Sequence, residues 1–460
     1  LTIYKFFDNF IPREGVNKLL IFLFWITPIL FILLLILFKI NFKDNYLFWI
    51  FTLAYLFLFF IVPAIKYGAN DFKSITFSPS TFGNIYSNNL IIKLYLYQLV
   101  FFNLFLIGYI ITPFKIKKHT NNKLKFDNII FVCNTLSIIG SVGCVYFSGV
   151  SISQLLGSAR FEYWESRSTI PYLFSGYLQM LLTIPAYLIP YLKKNRFAKI
   201  YTLIAFLALF FTKMVLFGTR TPIIAVLTAF IIGMLNYYRE HNIKLNKNRI
   251  TIISLLCIHL AVVWQYIRYQ KALYTNINDW ISGLFNIKEA YTLSLNNGDL
   301  SYFFEASAAT LYAIPRIHDY IYGDSYLRIF LFFIPSSLFP FKPEETQRVF
   351  ASIINPHMYS IGATYPPSMI GDSYLNFGFF GVIIGLAIGI LLKVWQNILN
   401  NPLSINKIAI GSAGITFLFL YMRGTFNGMY NLIFVWMFLI VFTTFFSKCK
   451  KHIKIVWSKA

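Results

Sequence analysis

Charge is what this chain has least of. Only 12% of its 460 residues are Asp, Glu, Lys or Arg, about half the share found in a soluble domain. Cysteine is scarce as well. Cys133, Cys144, Cys257 and Cys449 make no CxxC pair and no metal-ligand spacing, so they read as small packing residues rather than a disulfide framework or a zinc site. Phosphate-cradling P-loops, HExxH and GxSxG are absent. ATP-driven transport, zinc proteolysis and the common serine-hydrolase elbow are therefore unsupported. No Asp-Asp or Asp-Glu pair stands in the early loops, where Asp71 is alone. The first long apolar run is too long for a cleavable leader and lacks its small-residue cleavage site, so none is expected. No internal repeat is visible.

What fills the chain is apolar length: 57% of residues are hydrophobic and 20% aromatic. Repeated apolar runs of about 20 residues are membrane spans. The fold expected is an all-α polytopic membrane protein with about 11 (10–12) transmembrane helices and one large periplasmic loop containing short interfacial helices. The spans fall near 19–38, 46–65, 94–113, 128–148, 170–192, 199–217, 221–238, 250–267, 372–395, 404–422 and 425–447. A shorter apolar run at 327–340 holds Pro335 and ends at Pro340, which suits a re-entrant or interfacial segment. The chain divides into an N-terminal bundle (1–267, about eight spans), the outer loop (268–371), three C-terminal helices (372–447) and a basic tail (448–460).

The formal charge of +23 would suggest nucleic acid in a soluble protein. Here most of it lies in short loops between spans, where it sets orientation, and no nucleic-acid partner is expected. Lys448, Lys450, Lys451, Lys454 and Lys459 put the C-terminus in the cytoplasm. Eleven spans then place the N-terminus outside, although Lys5, Arg13 and Lys18 suit the inside better. Lys213, about a turn and a half from an outer helix end, is expected to snorkel to the headgroups.

Arginine does not follow the same rule. Of twelve, only Arg196, Arg239 and Arg249 face inside; Arg13, Arg160, Arg167, Arg220, Arg268, Arg316, Arg328, Arg348 and Arg423 are placed outside. A guanidinium grips phosphate or carboxylate with a fixed fork of donors, so this surface suits a phosphate or an acidic sugar. The bland alternative is pairing with nearby acids, since nine of the 17 fall between 268 and 372. Arg220 ends a span in FGTRTP at a tight outer turn, and Arg423 ends another in MRGTFNG. His318 in IPRIHDY stands between Arg316 and Asp319, a set able to hold phosphate and move a proton.

The stretch GATYPPSMIGDSYLNFGFFG, residues 362–381, leads from the outer loop into a membrane helix. Pro366 and Pro367 forbid helix before it. Asp372 is the natural N-cap, and secondly a general base or substrate contact. Gly378, Gly381, Gly385 and Gly389 fall three and four apart, which predicts one small-residue face for close helix packing.

This stretch resembles the segment of oligosaccharide repeat-unit polymerases, the Wzy-type O-antigen and capsular polysaccharide polymerases, that enters a late span after the large periplasmic loop. FGTRTP resembles their Gly-x-Arg element, although the family often has Gly at the place of Thr221 and Glu at that of Asp372. The resemblance implies transfer of a growing glycan from undecaprenyl diphosphate to the non-reducing end of a new lipid-linked unit, at the periplasmic face of the bacterial inner membrane. It implies no cofactor and no metal. The partners implied are the undecaprenyl-diphosphate-linked oligosaccharide and membrane lipids, with a chain-length regulator and a flippase beside them. Cations must then stabilise the departing diphosphate: Arg220 first, then Arg316, Arg328, Arg423, Arg268 and Arg348, with Tyr374 and Asn376 as substrate contacts. The base is Asp372, Glu305 or His318. Two alternatives share the substrate. One is an O-antigen ligase-like glycosyltransferase. The other is a lipid-linked oligosaccharide flippase, disfavoured because the spans carry almost no charge.

Overall fold

The computed structural model describes residues 13–37, 40–42, 44–68, 72, 75–77, 79–113, 126–152, 170–192, 195–217, 219, 221–243, 259, 262–263, 266–267, 282–283, 285–296, 299–331, 339–401, 403–424 and 427–457. Among them there is no strand beyond one isolated antiparallel bridge, Thr76 to Asn84. The helices are α1 (Arg13–Leu37), α2 (Tyr46–Tyr67), α3 (Asn88–Ile111), α4 (Phe126–Tyr146), α5 (Ile170–Tyr191), α6 (Arg196–Leu216) and α7 (Thr221–Glu240). After these come α8 (Ile287–Asn296), α9 (Asp299–Ala313), α10 (Thr346–Ile354), α11 (Ser368–Phe377), α12 (Ile383–Asn400), α13 (Ile405–Met422) and α14 (Asn427–Trp457).

The protein is an all-α polytopic membrane protein. Among the described residues nine helical stretches are long and apolar enough to cross a bilayer, α11 and α12 counting as one, and Met429–Phe445 within α14 is a shorter apolar stretch. The expected span at 250–267 and the segment at 327–340 lie largely outside the described residues.

Local chemistry explains where helices start and widen. Ser87 begins α3 by accepting from the Leu90 amide at 3.2 Å, and Asn195 does the same for α6 from Ala198 at 3.0 Å. Within α2, Pro63 can give no amide hydrogen to the turn before it, and Phe57–Ile61 winds as a π-helix there.

Contacts divide the chain into two compact units. The first is Leu1–Phe114, Tyr291–Gln396 and Phe419–Phe426. Its core is aromatic: Phe24 packs against Phe60, Tyr95 and Phe304, and Phe48 and Phe51 against Phe105. Here α12 lies directly on α3. A Cβ at Gly385 would overlap the Phe101 carbonyl, one at Gly389 the Phe105 carbonyl, and one at Gly108 the Leu386 carbonyl. The predicted small-residue face is therefore a helix crossing, as glycines allow in lipid. Gly378 is a correction to that face. With φ 58 and ψ −136 it stops α11, and a 3-10 turn, Gly378–Val382, follows before α12 begins.

The second unit is Lys115–Ala290, Asn397–Leu418 and Asn427–Ala460. It uses the same device: a Cβ at Gly233 would overlap the Tyr187 carbonyl, and one at Gly411 the Tyr187 ring. Lys213 corrects another expectation. It lies on a π-helical turn, Phe211–Leu216, is buried, and its Nζ stands 3.4 Å from Cys144 Sγ and 5.4 Å from the ring centres of Tyr172 and Phe217. It points into protein rather than snorkelling to headgroups, because the widened turn rotates it towards α4 and α5.

Candidate functional site

The candidate site lies in the first unit, where α9 and α11 pack together. A Cβ at Gly371 would stand 2.6 Å from Thr310 Oγ1, so the two helices approach closely. A 2.6 Å hydrogen bond between Ser307 Oγ and Ser368 Oγ joins the middle of α9 to the start of α11. Ser368, at φ 67, donates its amide to the Arg423 carbonyl at 2.9 Å and accepts from the Gly371 amide at 3.1 Å. Ser368 thus closes the first turn, and Asp372 is not the cap expected from sequence. The helix begins four residues earlier, directly after Pro367, and carries Asp372 into the interior.

Asp372 is fully enclosed. Its Oδ2 accepts from the Tyr326 hydroxyl at 2.8 Å, Thr346 donates to the same carboxylate, and Asn376 Nδ2 approaches Oδ1 at 3.4 Å. Burial and the Asp372 charge push the Tyr326 phenol far above its usual range, so it remains a donor. Its oxygen also meets the Tyr421 hydroxyl at 3.4 Å. Next door, Tyr97 and Ser373 share a 3.0 Å hydrogen bond. Among the described residues no cation pairs with Asp372.

Glu305, on α9, sits differently. Its Oε1 takes a 2.6 Å ion pair from Lys66 and a 2.5 Å hydrogen bond from Tyr67, and Lys66 also reaches Ser301 Oγ at 3.1 Å. That oxygen is thus already occupied by an ammonium and a phenol. His318 is half-buried, and its Nδ1 donates to the Asp319 carbonyl, 2.6 Å away, rather than to its carboxylate.

The cations expected to grip diphosphate separate into two kinds. Arg328 pairs with Glu345 at 3.2 Å and donates to the Pro343 carbonyl; Arg348 pairs with Glu344 at 2.8 Å and lies 4.6 Å from the Tyr359 ring centre. These two brace the segment between residues 328 and 348. Arg316 is exposed, 5.2 Å from the Tyr312 ring centre, and Arg423 is half-buried, 5.4 Å from that of Tyr302. Tyr302 in turn donates to the Pro366 carbonyl at 2.8 Å. Tyr374 is buried and accepts from Lys93 Nζ at 2.6 Å. Asn376 donates to the Asp372 carbonyl at 2.8 Å and accepts from Ser325 at 2.9 Å, which makes it a brace of α11. Arg220 and Arg268 lie outside the described residues.

Sequence reasoning did not find Tyr326, Tyr421, Tyr97, Lys66 or Lys93. Tyrosine is common throughout this chain, and both lysines read as ordinary loop charges, so no local signal marked them. Among the described residues no group of three or more His, Cys, Asp and Glu is placed to hold a metal ion.

No curated protein and no solved structure matches this chain. A nearly full-length match exists at the level of a family. An enclosed carboxylate in a late span, following an interval that holds Arg316, Arg328 and Arg348, suits chemistry on a charged substrate. In keeping with that, the family model for O-antigen polysaccharide polymerase Wzy matches residues 4–452, so the chain belongs to this polymerase family and its role is in O-antigen polymerisation.

Proposed function

We propose that the protein joins undecaprenyl-diphosphate-linked repeat units at the periplasmic face of the bacterial inner membrane. The hydroxyl oxygen at the non-reducing end of an incoming lipid-linked unit attacks the anomeric carbon of the growing chain. The bond from that carbon to the diphosphate oxygen breaks, and undecaprenyl diphosphate leaves with the electron pair. A base takes the hydroxyl proton, and cations hold the leaving group. The observation that carries this reading is the family match across residues 4–452.

Asp372 is the base we favour over Glu305 and His318. Among the described residues it accepts from neutral donors only, whereas Glu305 is held by Lys66. Because Asp372 is enclosed, the acceptor reaches it only when the turn carrying Tyr326 swings away. Gly323, at φ 91, begins that turn and is its natural pivot. Arg316 and Arg423 are the leading diphosphate ligands among the described residues, and Arg220 and Arg268 keep the role their sequence suggests. A flippase would supply the units and a chain-length regulator would set their number.

The test is the surface glycan of a strain lacking this protein, resolved by size. Lipid A core bearing a single repeat unit, with the ladder gone, is expected. A plasmid copy restores the ladder, and Asp372→Asn at equal membrane level lowers polymer by about 100-fold or more. An intact ladder in the deletion strain sinks the reading. Loss of even the single unit points instead to a ligase or flippase.

A further inference from the structure

Lys213 has no part in the scheme above, and its surroundings are costly for an ammonium. It lies in a membrane-crossing helix and is only 8% exposed. Its contacts among the described residues are to neutral groups. Nζ donates to Cys144 Sγ at 3.4 Å, and the Cys144 thiol donates to Gln179 Oε1 at 3.5 Å. The ring centres of Tyr172 and Phe217 each lie 5.4 Å from Nζ. None of the ion pairs among the described residues includes Lys213. A charge held in a span without an opposite charge lowers stability, and where one persists its retention points to function.

What this lysine holds is the turn between α6 and α7. The helix widens around it: Phe211–Leu216 is a π-helix, and the Phe217 amide donates to the Thr212 carbonyl at 3.1 Å, five residues back. Such widened turns recur at functional sites. The turn that follows is fastened to Lys213 at two points. At its first residue, the Phe217 ring lies against the ammonium and packs edge-on to Tyr172, with 5.9 Å between ring centres. At its third, Thr219 donates to the Lys213 carbonyl from its amide at 2.6 Å and from Oγ1 at 3.2 Å. Arg220 is the next residue in the chain, and Thr221 opens α7.

We propose that Lys213 is a positioning residue: its ammonium, through Phe217 and Tyr172, fixes the turn that leads into Arg220 and so sets that guanidinium for the diphosphate of the lipid-linked donor. Lys213 itself touches no substrate. Any residue would supply the carbonyl that Thr219 uses, so the ammonium is what lysine adds. This role rests on the polymerase reading, in which Arg220 holds the leaving group.

The test uses the full-length protein in detergent, with undecaprenyl diphosphate binding read by native mass spectrometry and the thermal midpoint taken on the same samples. Methionine is close to lysine in size and carries no charge, so Lys213→Met should keep the midpoint at or above that of wild type. Binding should nevertheless weaken by about tenfold, while Lys213→Arg stays within about threefold of wild type. Phe217→Leu should weaken binding to a similar degree, and combining it with Lys213→Met should weaken it no further, because both break one contact. Wild-type binding by Lys213→Met overturns the positioning role. So do losses that multiply in the double variant, and so does weakened binding with a lowered midpoint in both Lys213→Met and Lys213→Arg, which would make the lysine part of the fold alone. Wild-type protein that binds no undecaprenyl diphosphate brings down the polymerase reading and this role together, so the wild type tells the two failures apart.

Discussion

Two carboxylates that look equivalent in sequence part company at the level of single residues. Glu305 is held by Lys66 and Tyr67, with side chains of Lys66 and Glu305 only 15% and 8% exposed. Removing one partner of such a pair strands the other charge, so Lys66→Met should cost about 3–5 kcal/mol. Lys66→Met combined with Glu305→Gln should cost less than Lys66→Met alone, because no charge is then stranded. Thermal midpoints of the purified variants check this, and a double variant less stable than the single would refute the pairing. Glu305→Gln alone should keep the glycan ladder. A lost ladder at normal protein level would move the base from Asp372 to Glu305. The sequence showed that acids and arginines concentrate in the outer interval but could not show which pair. Glu344 and Arg348 sit four apart on one turn and are readable in advance, whereas Lys66 and Glu305 are 239 positions apart and meet only through the packing of α2 with α9.

Helix-to-helix spacing is where the sequence was most legible. Membrane helices approach closely only where side chains are small, so glycines three and four apart mark a crossing before its partner is known. Gly385 and Gly389 fulfil that expectation against α3. Gly378 does not: it stands at φ 58, a conformation glycine takes freely, and the helix breaks there instead. The start of α11 was misread for a related reason. Asp372 has the chemistry of a cap, but Ser368 stands directly after the two prolines and reaches the free amide first. The π-helical turns in α2, α6 and α13 left no mark in hydropathy. The expected consequence of the crossing is sharp. Gly389→Leu drives a side chain into the Phe105 carbonyl and should cost about 3 kcal/mol or more. Gly176→Ala, where an added Cβ meets nothing within 4 Å, should be neutral or slightly stabilising. Yield and thermal midpoint of the two variants, side by side, separate steric overlap from a general intolerance of change in these helices.

For the molecule as a whole, orientation decides whether the proposed chemistry has access to its substrate. On the orientation proposed here, the tail lysines hold the C-terminus in the cytoplasm, as the positive-inside rule favours. Arg316, Lys93 and the interval 268–371 would then face the periplasm, where the proposed reaction joins lipid-linked units. On that orientation nine of the twelve arginines lie outside, against the bias that insertion alone would give, and a diphosphate is a ligand that would retain them there. The second argument presupposes the first, and both stand or fall on one measurement. Alkaline phosphatase, which is active only where disulfides form, should be active when inserted after Asp319 and inactive when fused to Ala460. Green fluorescent protein at Ala460 should be bright. The opposite pattern would turn the molecule over. Asp372, Lys93 and Arg316 would then face the cytoplasm, the periplasmic reaction would lose every residue assigned to it, and the outer arginines would need no explanation beyond the positive-inside rule itself.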